Sequence, residues 1–396
     1  MKKILLLIIG LILTIGNLSA KDDATLSPEA EISLITCGPG SDLYSVFGHS
    51  AIRVTDPKLG IDAVFNYGTF QFTDDFYFKF VMGKLNYMMS VSLFKGFYKS
   101  YVYQNRQLIE QVLDLNKAQK QQLFDLLILN NKPENRFYLY DFFYNNCSTK
   151  IRDKLVEAVN SDVVFNETQP IIDVPFRTMI DLYLGQMDWS DFGIDLALGL
   201  PCDKTPNNWE DMFLPDELMV AFDQAKINDN GTVKPLVKET QILYQAVPFE
   251  HRFPYYMRPA NLTWFFLLLM LVISFFEIKN RKNYILFDKI YFGIIGFFGL
   301  FLTFLWLGTD HSATANNLNI LWASPLLFLT GFFDLGEKQK PWIKYFFLAI
   351  GTFIILVVAL WDFLPQDLHF AATPLAGLIG FRALLIYYKA KKLYHA

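Results

Sequence analysis

A cysteine at the start of a predicted helix is the first residue whose position suggests chemistry. Cys147 follows Asn145 and Asn146, two residues of a type that caps helix N-termini. An apolar helix face follows at four-residue spacing, formed by Ile151, Leu155 and Val159. The positive end of the helix dipole and the free backbone N–H groups favour the thiolate, which is the nucleophilic form. For such a cysteine taken alone, a small buried residue under a capped helix is the more common situation.

A histidine far upstream shifts that balance towards catalysis. A cysteine nucleophile needs a base nearby and a third group that orients the base. His49 stands at the head of a predicted strand, whereas His251 has no motif around it. Asn66, a polar residue in the next apolar run, is either the third group or a turn residue at the strand end, and the residues favour neither reading. Because the histidine precedes the cysteine, the reverse of the papain order, chain order alone does not identify the class.

Other chemistries lack the residues that they need. The three cysteines have no CxxC partner and no paired histidines, so no metal site is predicted. No cofactor is expected, since no P-loop and no GxGxxG motif is present. The net charge of −4 gives no reason to expect nucleic acid as a partner. Cys37 and Cys202 are predicted either to form a disulfide in an oxidising compartment or to be two separate buried thiols.

The elements that position these residues indicate an α+β domain. Strands are predicted over Glu31–Cys37 and over residues 50–55, 63–67 and 106–115, and Asn116 is predicted to cap a helix that extends to Asn130. Residues 70–80 are dense in aromatic side chains and are predicted to be a helix or loop that packs near the membrane. Residues 160–255 are punctuated by proline and give no clear elements.

Composition divides the chain into three parts. Residues 1–20 have two lysines, an apolar core and Leu18-Ser19-Ala20, which predicts a secretory signal peptide; an uncleaved anchor is the alternative, because Leu18 is large for a cleavage site. Residues 21–255 are mixed, as in an exported globular domain. Residues 256–396 are predicted to form a transmembrane domain with five spans, each approaching the ~20 residues that cross a bilayer. The apolar runs cover residues 262–278, 290–308, 320–334, 345–362 and 371–388, and the third is short and contains Pro325.

Basic residues determine the predicted orientation. The loops over residues 309–319 and 363–370 contain no Lys or Arg. The other connections and the C-terminus are basic, with Lys279, Arg281, Lys282, Lys289, Lys338, Lys340, Lys344, Lys389, Lys391 and Lys392. The positive-inside rule places the two uncharged loops and the large domain outside. The protein is therefore predicted to lie in the inner (cytoplasmic) membrane, with its N-terminal domain in the periplasm and its C-terminus in the cytoplasm.

The first outer loop contains several polar residues next to the membrane. Asp310 and His311 follow the second span, and Asn316, Asn317 and Asn319 precede the third. A solvated loop is the usual role of such a segment. The functional alternative is a polar loop that lines a site for lipid headgroups at the outer membrane surface.

These segments together resemble the Lnb family of lipoprotein N-acyltransferases. The resembling stretches are residues 34–40, 43–54, 65–68, 145–153, 310–311 and 316–326. The resemblance covers nearly the whole chain except about 160–250. In that family a periplasmic domain similar to circularly permuted NlpC/P60, papain-like thiol enzymes precedes a membrane domain. The resemblance implies an α+β, permuted papain-like domain followed by five transmembrane helices.

The resemblance also implies acyl transfer. Cys147 would take an acyl chain from a membrane phospholipid as a thioester, and the α-amine of a diacylglyceryl lipoprotein would accept it. His49 would act as the base, with Asn66 as the third catalytic candidate. Substrate-binding candidates in the resembling stretches are Tyr44, Ser45, Arg53, Asp310, His311, Asn316 and Asn319.

Two other functions fit the same residues. A membrane-anchored peptidase or amidase acting on peptidoglycan would use the same thiol and base, as many NlpC/P60 relatives do. A non-catalytic envelope protein would use the papain-like domain to bind a partner. Five spans favour a lipid substrate, because a single anchor would suffice for an enzyme of the cell wall.

Overall fold

A seven-stranded antiparallel sheet forms the centre of the N-terminal domain. The computed structural model describes residues 24–160, 162–165, 173–229, 231–247, 254–336 and 339–393; the predicted signal peptide and His251 lie outside these ranges. The strands are β1 (Glu31–Cys37), β2 (His49–Asp56), β3 (Ile61–Thr69), β4 (Asn86–Leu93), β5 (Leu108–Leu113), β6 (Phe137–Leu139), β7 (Val163–Val164), β8 (Lys226–Asp229), β9 (Thr232–Pro235) and β10 (Val237–Tyr244). The main sheet has the order β10-β5-β1-β2-β3-β4-β6, and β7, β8 and β9 form a second sheet.

Helices cover both faces of the main sheet. The helices of this domain are α1 (Phe76–Val81), α2 (Phe94–Tyr103), α3 (Lys117–Asn131), α4 (Cys147–Ala158), α5 (Phe176–Leu184), α6 (Asp188–Ala197) and α7 (Pro215–Gln224). Helices α3, α4 and α7 share one apolar core with the sheet, which includes Ile52, Phe65, Leu123, Leu155 and Phe222. Helix α2 packs on the opposite face through Phe97. The helix that begins at Cys147 and the strand that begins at His49 are therefore held by the same core.

The α+β class is confirmed, and most predicted elements lie where the sequence pattern places them. Strand β1 has the predicted bounds, and β2, β3 and β5 lie within a few residues of theirs. Helix α3 follows Asn116, whose side chain accepts a hydrogen bond from the Gln119 N–H at 2.9 Å. Strand β10 was not predicted, because it is an edge strand with a largely exposed, charged sequence and no clear alternation.

The C-terminal domain has four helices that are long and apolar enough to cross a membrane, within the described residues. They are α8 (Pro259–Lys279), α9 (Ile285–Gly308), α10 (Pro341–Ala359) and α11 (Thr373–Leu393). The predicted count of five is not confirmed. The third apolar run forms the short 3₁₀ helices Leu318–Leu321 and Pro325–Phe332 instead. At ~2.0 Å rise per residue, the longer of these falls well short of the hydrocarbon thickness.

Close packing against α9 gives a physical reason for this irregular segment. A Cβ atom on Gly296 would lie 2.0 Å from the backbone N of Phe328, and one on Gly299 would lie 1.8 Å from the carbonyl O of Ala323. The two glycines therefore let backbone approach backbone, as small residues do between membrane helices. Pro325 also lacks the N–H that a continuous helix would use.

A buried charge cluster joins three of the long helices. Arg382 of α11 binds Asp288 of α9 at 2.7 Å and Glu277 of α8 at 2.5 Å, and it donates to Ser274 at 2.8 Å. Lys389 also contacts Glu277. Buried charges in an apolar helix bundle need such partners, since an unpaired charge there is expensive. The cluster accounts for ionisable residues inside otherwise apolar helices.

The two domains are joined through two loops of the membrane domain. Asn317, in the loop after α9, donates to the carbonyl O of Leu196 at the end of α6 at 2.9 Å. Gln366, in the loop between α10 and α11, donates to the carbonyl O of Leu198 at 2.9 Å. Gly199 approaches Ala315 so closely that an added Cβ atom would lie 1.9 Å from its carbonyl O. The loops that lack Lys and Arg are therefore the ones that contact the N-terminal domain.

Candidate active site

The asparagine before Cys147 fixes the start of α4. The Asn146 side chain accepts hydrogen bonds from the N–H groups of Ser148 at 2.9 Å and Thr149 at 3.0 Å. Its Nδ2 donates to two buried carbonyls, those of Phe142 at 2.7 Å and Phe213 at 2.8 Å. Asn146 is itself buried. A single side chain thus caps the helix and ties the preceding segment to the core, which sets the position of Cys147.

The Cys147 thiol is half-buried and is surrounded by groups that stabilise a thiolate. Burial alone raises its pKa, but the charge of His49 and a hydrogen bond from the same ring oppose this effect. Hydrogen bonds with the Ser50 N–H and with the Ser148 hydroxyl, the latter at 4.0 Å, lower the pKa further. The net result lowers the pKa of Cys147 to about 7. A large fraction of the thiol is therefore nucleophilic at neutral pH.

His49 and Asn66 meet beside this thiol. His49 opens β2, and its Nε2 lies 3.3 Å from Oδ1 of Asn66 on β3. Since a carbonyl oxygen only accepts, this bond requires a proton on Nε2 and leaves Nδ1 as the acceptor of the neutral ring. Gly48 has φ +77°, and a Cβ atom there would lie 2.8 Å from the carbonyl O of Cys37. Glycine is therefore required for the turn that delivers His49.

A glycine and a tyrosine pack near Cys147. Gly68 has φ +87°, and a Cβ atom added to it would lie 3.5 Å from the Cβ of Cys147. Tyr138 packs against the same apolar core as Cys147. Burial, followed by the charge of Cys147, raises the pKa of both Tyr138 and Tyr140. The arrangement is that of a thiol nucleophile with a base, an orienting amide and an apolar wall. It can attack a carbonyl carbon and form a covalent acyl intermediate.

Comparison with known proteins agrees with this division into a thiol domain and a membrane domain. Residues 21–182 match the Lnb N-terminal periplasmic domain, and residues 250–393 match the Lnb transmembrane domain. The chain belongs to the Lnb family. No curated protein and no solved structure matches it significantly. Membership in this family indicates a lipoprotein N-acyltransferase-like role for a membrane protein with a periplasmic domain.

The loop after α9 of the Lnb membrane domain reaches the segment that leads into Cys147. The Ser312 hydroxyl donates to Oδ2 of Asp141 at 3.0 Å, six residues before Cys147. Oδ1 of the same carboxylate accepts the N–H groups of Phe143 and Tyr144, both at 2.9 Å. The contact therefore links the membrane loop directly to the turn that positions α4.

The predicted substrate-binding residues of this loop differ in their surroundings. The Asp310 side chain is exposed and lies 3.8 Å from the Lys84 ammonium. His311 places its Nε2 2.9 Å from the carbonyl O of Phe80, so it contacts α1. Asn316 is exposed with φ +52°. Asn319 is fully buried, and its amide bonds Leu196 and the indole N–H of Trp322. These contacts give Asn319 a structural role, and its predicted role in substrate binding stays a prediction.

The three candidates in the N-terminal motif also have distinct surroundings. Tyr44 is highly exposed, in the loop between β1 and β2. Ser45 is buried and donates to the carbonyl O of Asp42 at 2.9 Å, so it shapes that loop. Arg53 binds Asp62 at 2.8 Å and Glu110 at 3.2 Å. Its guanidinium also lies over the ring of Phe94. Arg53 therefore has three internal partners, and its role as a substrate-binding residue stays a prediction.

The predicted Cys37–Cys202 disulfide is wrong, and the alternative of two separate thiols is what the structure contains. Both residues are free and buried. Cys37 is the cross-strand partner of His49, whereas the Cys202 thiol donates to the carbonyl O of Ala313 at 3.4 Å. Burial raises the pKa of each to about 12. Neither is therefore a competing nucleophile at neutral pH.

Several residues of the site were not predicted to have these roles. Ser50 and Ser148 join β2 to α4 through their hydroxyls at 3.0 Å, and both stand next to predicted catalytic residues, which is the signal that could have found them. Tyr138 and Tyr140 lie in the aromatic run before Cys147 and had no pattern that indicated a wall of the site. Among the described residues, no group of His, Cys, Asp or Glu side chains is placed to hold a metal ion.

Proposed function

We propose that this Lnb-family protein transfers an acyl chain from a membrane phospholipid to the α-amine of the diacylglyceryl cysteine of a lipoprotein. The observation that carries the proposal is a thiol with a pKa of about 7, beside His49, in a domain held against the outer loops of a membrane domain. A thiolate at neutral pH attacks an ester without a metal or cofactor.

In the first half-reaction, the thiolate of Cys147 attacks the ester carbonyl of the phospholipid. His49 Nδ1 holds the proton taken from the thiol, and Asn66 keeps the ring in the orientation that directs Nδ1 towards the sulfur. The tetrahedral intermediate then breaks its bond to the glycerol oxygen, which receives the proton from His49. A lysophospholipid leaves, and the acyl chain remains on Cys147 as a thioester.

In the second half-reaction, the uncharged amine of the lipoprotein attacks the thioester carbonyl. His49 accepts the proton that the amine loses as the new amide bond forms. The carbon–sulfur bond breaks, and Cys147 leaves as the thiolate that began the cycle. The products are an N-acylated lipoprotein and the regenerated enzyme, so atoms and protons balance over the two steps.

The first turn of α4 supplies a donor for the oxyanion of both intermediates. The Asn146 side chain accepts hydrogen bonds from the N–H groups of Ser148 and Thr149, and the Lys150 N–H donates to the carbonyl O of Asn146. The remaining first-turn donor is the backbone N–H of Cys147 itself. We assign it to the oxyanion, because the attacked carbonyl carbon bonds to the sulfur of the same residue.

The domain contacts support a site on the outer face of the inner membrane. Both loops that lack Lys and Arg bind the N-terminal domain, through Asn317 and Gln366. The positive-inside rule places those loops outside, which puts Cys147 in the periplasm. The phospholipid donor and the membrane-bound lipoprotein acceptor are both present at that surface.

The decisive experiment follows acyl transfer by the purified protein in nanodiscs that contain phospholipid, with a diacylglyceryl lipopeptide as acceptor. Without acceptor, mass spectrometry is expected to show one acyl chain on Cys147, removable by hydroxylamine as a thioester is. With acceptor, the lipopeptide gains the chain. Cys147→Ala is expected to abolish both products, whereas Cys202→Ala, which removes a thiol of high pKa, retains both.

The same experiment separates the two other functions. Cleavage of peptidoglycan peptides without lipopeptide acylation would indicate a cell-wall peptidase. Normal lipopeptide acylation by Cys147→Ala would exclude the thioester route. An unaltered lipoprotein N-terminus in cells that lack the protein, with no product in vitro, would favour a non-catalytic envelope protein.

A further inference from the structure

A short segment between β3 and β4 exposes an unusual number of aromatic side chains. Helix α1 buries only Phe76. Phe72 and Tyr77 are exposed by 73% and 74%, and Phe78 by 69%. The one cation of the helix, Lys79, is paired with Asp75 at 2.7 Å. Contiguous exposed apolar side chains of this kind mark a surface that binds something.

The contacts of this segment place it at the depth of the membrane surface. Helix α9 ends at Gly308, and two residues later the Asp310 N–H donates to the carbonyl O of Met82 at 3.0 Å. The His311 ring bonds the carbonyl O of Phe80 at 2.9 Å. The C-terminal end of α1 therefore lies against the first polar residues beyond a transmembrane helix, which is where the headgroup region begins.

A continuous row of rings leads from this surface into the domain. The centroid of Phe72 lies 4.7 Å from that of Phe76, which lies 5.5 Å from Phe70. Phe70 then lies 5.4 Å from Tyr87, and Tyr87 stacks on Tyr140 at 4.1 Å. These separations are those of direct ring contact.

The row ends at the nucleophile. Phe70 follows Gly68 by two residues, and Gly68 lies in contact with Cys147, as its missing Cβ shows. Tyr140 directly precedes Asp141, whose bridge to Asn145 closes the turn before Cys147. The aromatic residues thus connect the membrane surface with the thiol.

We propose that Phe72, Tyr77, Phe78 and Phe80 form a lipid-binding surface that inserts into the outer leaflet and binds the acyl chain of a phospholipid. The ring row from Phe72 to Tyr140 then lines the route of that chain to Cys147. The second part rests on the proposed acyl transfer, whereas the insertion does not. A bilayer lipid is the occupant because the depth of α1 is set by the end of a transmembrane helix. A protein partner would require the aromatic surface to face the periplasm.

A nitroxide label measures this insertion without any need for catalysis. The label is placed on Phe78→Cys in full-length Cys147→Ser protein, in nanodiscs; the remaining cysteines are buried. Val233→Cys is the matched control, since Val233 is exposed by 65%. Val233 lies on β9 next to Lys234, and Lys234 forms an ion pair with Asp114. Asp114 follows the end of β5 that is opposite to the end paired with Cys37, so Val233 is remote from the active site.

The expected result is a label at position 78 that collides more with oxygen than with a water-soluble nickel chelate, and a label at position 233 with the opposite preference. Equal preference for the nickel chelate at both positions would overturn the insertion. This outcome is independent of turnover, so it is distinguishable from a failure of the acyltransferase proposal.

The second part of the proposal is tested by kinetics with the Phe72→Gln, Phe78→Gln double variant. Losing the apolar contact of two rings is expected to raise the apparent KM for phospholipid by roughly tenfold or more, with the kcat unchanged. The pH profile of Cys147 alkylation should remain that of the unsubstituted protein, which a folding defect would disturb. An unchanged KM in a protein that is active would refute the role of these rings in lipid binding.

Discussion

The replacement of His49 by glutamine tests the origin of the reactive thiol directly. Glutamine retains the bulk of the side chain but has neither the charge nor the basic nitrogen. The ring of His49 supplies the largest effects that oppose burial of the Cys147 thiol, so its loss should return the pKa from about 7 to at least the ordinary 9.0. At pH 7 the thiolate fraction then falls from about half to about 1%, a change of about fifty-fold.

The expected decrease in alkylation rate at pH 7 is smaller than the roughly fifty-fold decrease in the thiolate fraction. A thiolate of higher pKa is a better nucleophile, and a rise of two pKa units increases the reactivity of each thiolate by about eightfold. The net decrease at pH 7 is therefore roughly sixfold. The midpoint of the alkylation profile is the sharper readout, because it should move up by about two pH units while the rate at pH 10 rises several-fold.

The assay is alkylation with iodoacetamide from pH 5 to pH 10, followed by mass spectrometry of the peptide that contains Cys147. Cys37 and Cys202 are internal controls, because their pKa values of about 12 should leave them unmodified. A midpoint that stays near pH 7 in His49→Gln would refute the assignment of His49 as the group that lowers the thiol pKa. An alkylation rate that changes by the same factor at every pH would instead indicate altered access of the reagent to the thiol.

Three further substitutions test how the site is positioned. Asn146→Ala removes a helix cap and the hydrogen bonds to two buried carbonyls, so the free energy of unfolding in detergent should fall by about 3–5 kcal/mol. Asn116→Ala removes only the cap of α3, so the free energy of unfolding should fall by about 1 kcal/mol. An equal fall in the free energy of unfolding for both variants would show that the bonds from Asn146 to the buried carbonyls add no stability. His311→Ala should lower transfer to lipoprotein without reducing expression or the melting temperature, because its ring contacts α1; a matching fall in the melting temperature would indicate a packing role. Gly83→Ala should lower transfer more than Gly60→Ala: both have φ near +70°, but the added Cβ lies 3.0 Å from the His311 N in the first and meets nothing within 4 Å in the second.

Local patterns in the sequence were sufficient to predict the helix that begins at Cys147 and the strand that begins at His49. The capped helix at Cys147 and the strand headed by His49 follow from capping residues and from alternation, which act within a few residues. The structure brings Asn66 to the His49 ring because β2 and β3 pair in register, with Ile52 opposite Phe65. The sequence left Asn66 with two readings, since pairing of strands depends on contacts across the sheet.

Features that depend on packing between distant segments could not be predicted. The apolar run over residues 320–334 has the composition of a membrane helix, but contact with Gly296 and Gly299 of α9 favours a different backbone. Cys37 and Cys202 were candidates for pairing because the domain is predicted to lie in an oxidising compartment, yet Cys37 belongs to the core under α2 and Cys202 to a core near α5. A sequence pattern contains no information on which core a cysteine joins.

The domain contacts give the irregular membrane segment a consequence for catalysis. A continuous helix through residues 320–334 would need its backbone to leave α9, and this would move the loop that precedes it. That loop holds Asn317 against α6 and Ser312 against Asp141, six residues from Cys147. In the proposed acyl transfer the thiol meets an ester near the headgroup boundary, so the position of this loop relative to the membrane sets the depth of Cys147. The close packing of the segment on α9 is therefore part of what positions the active site.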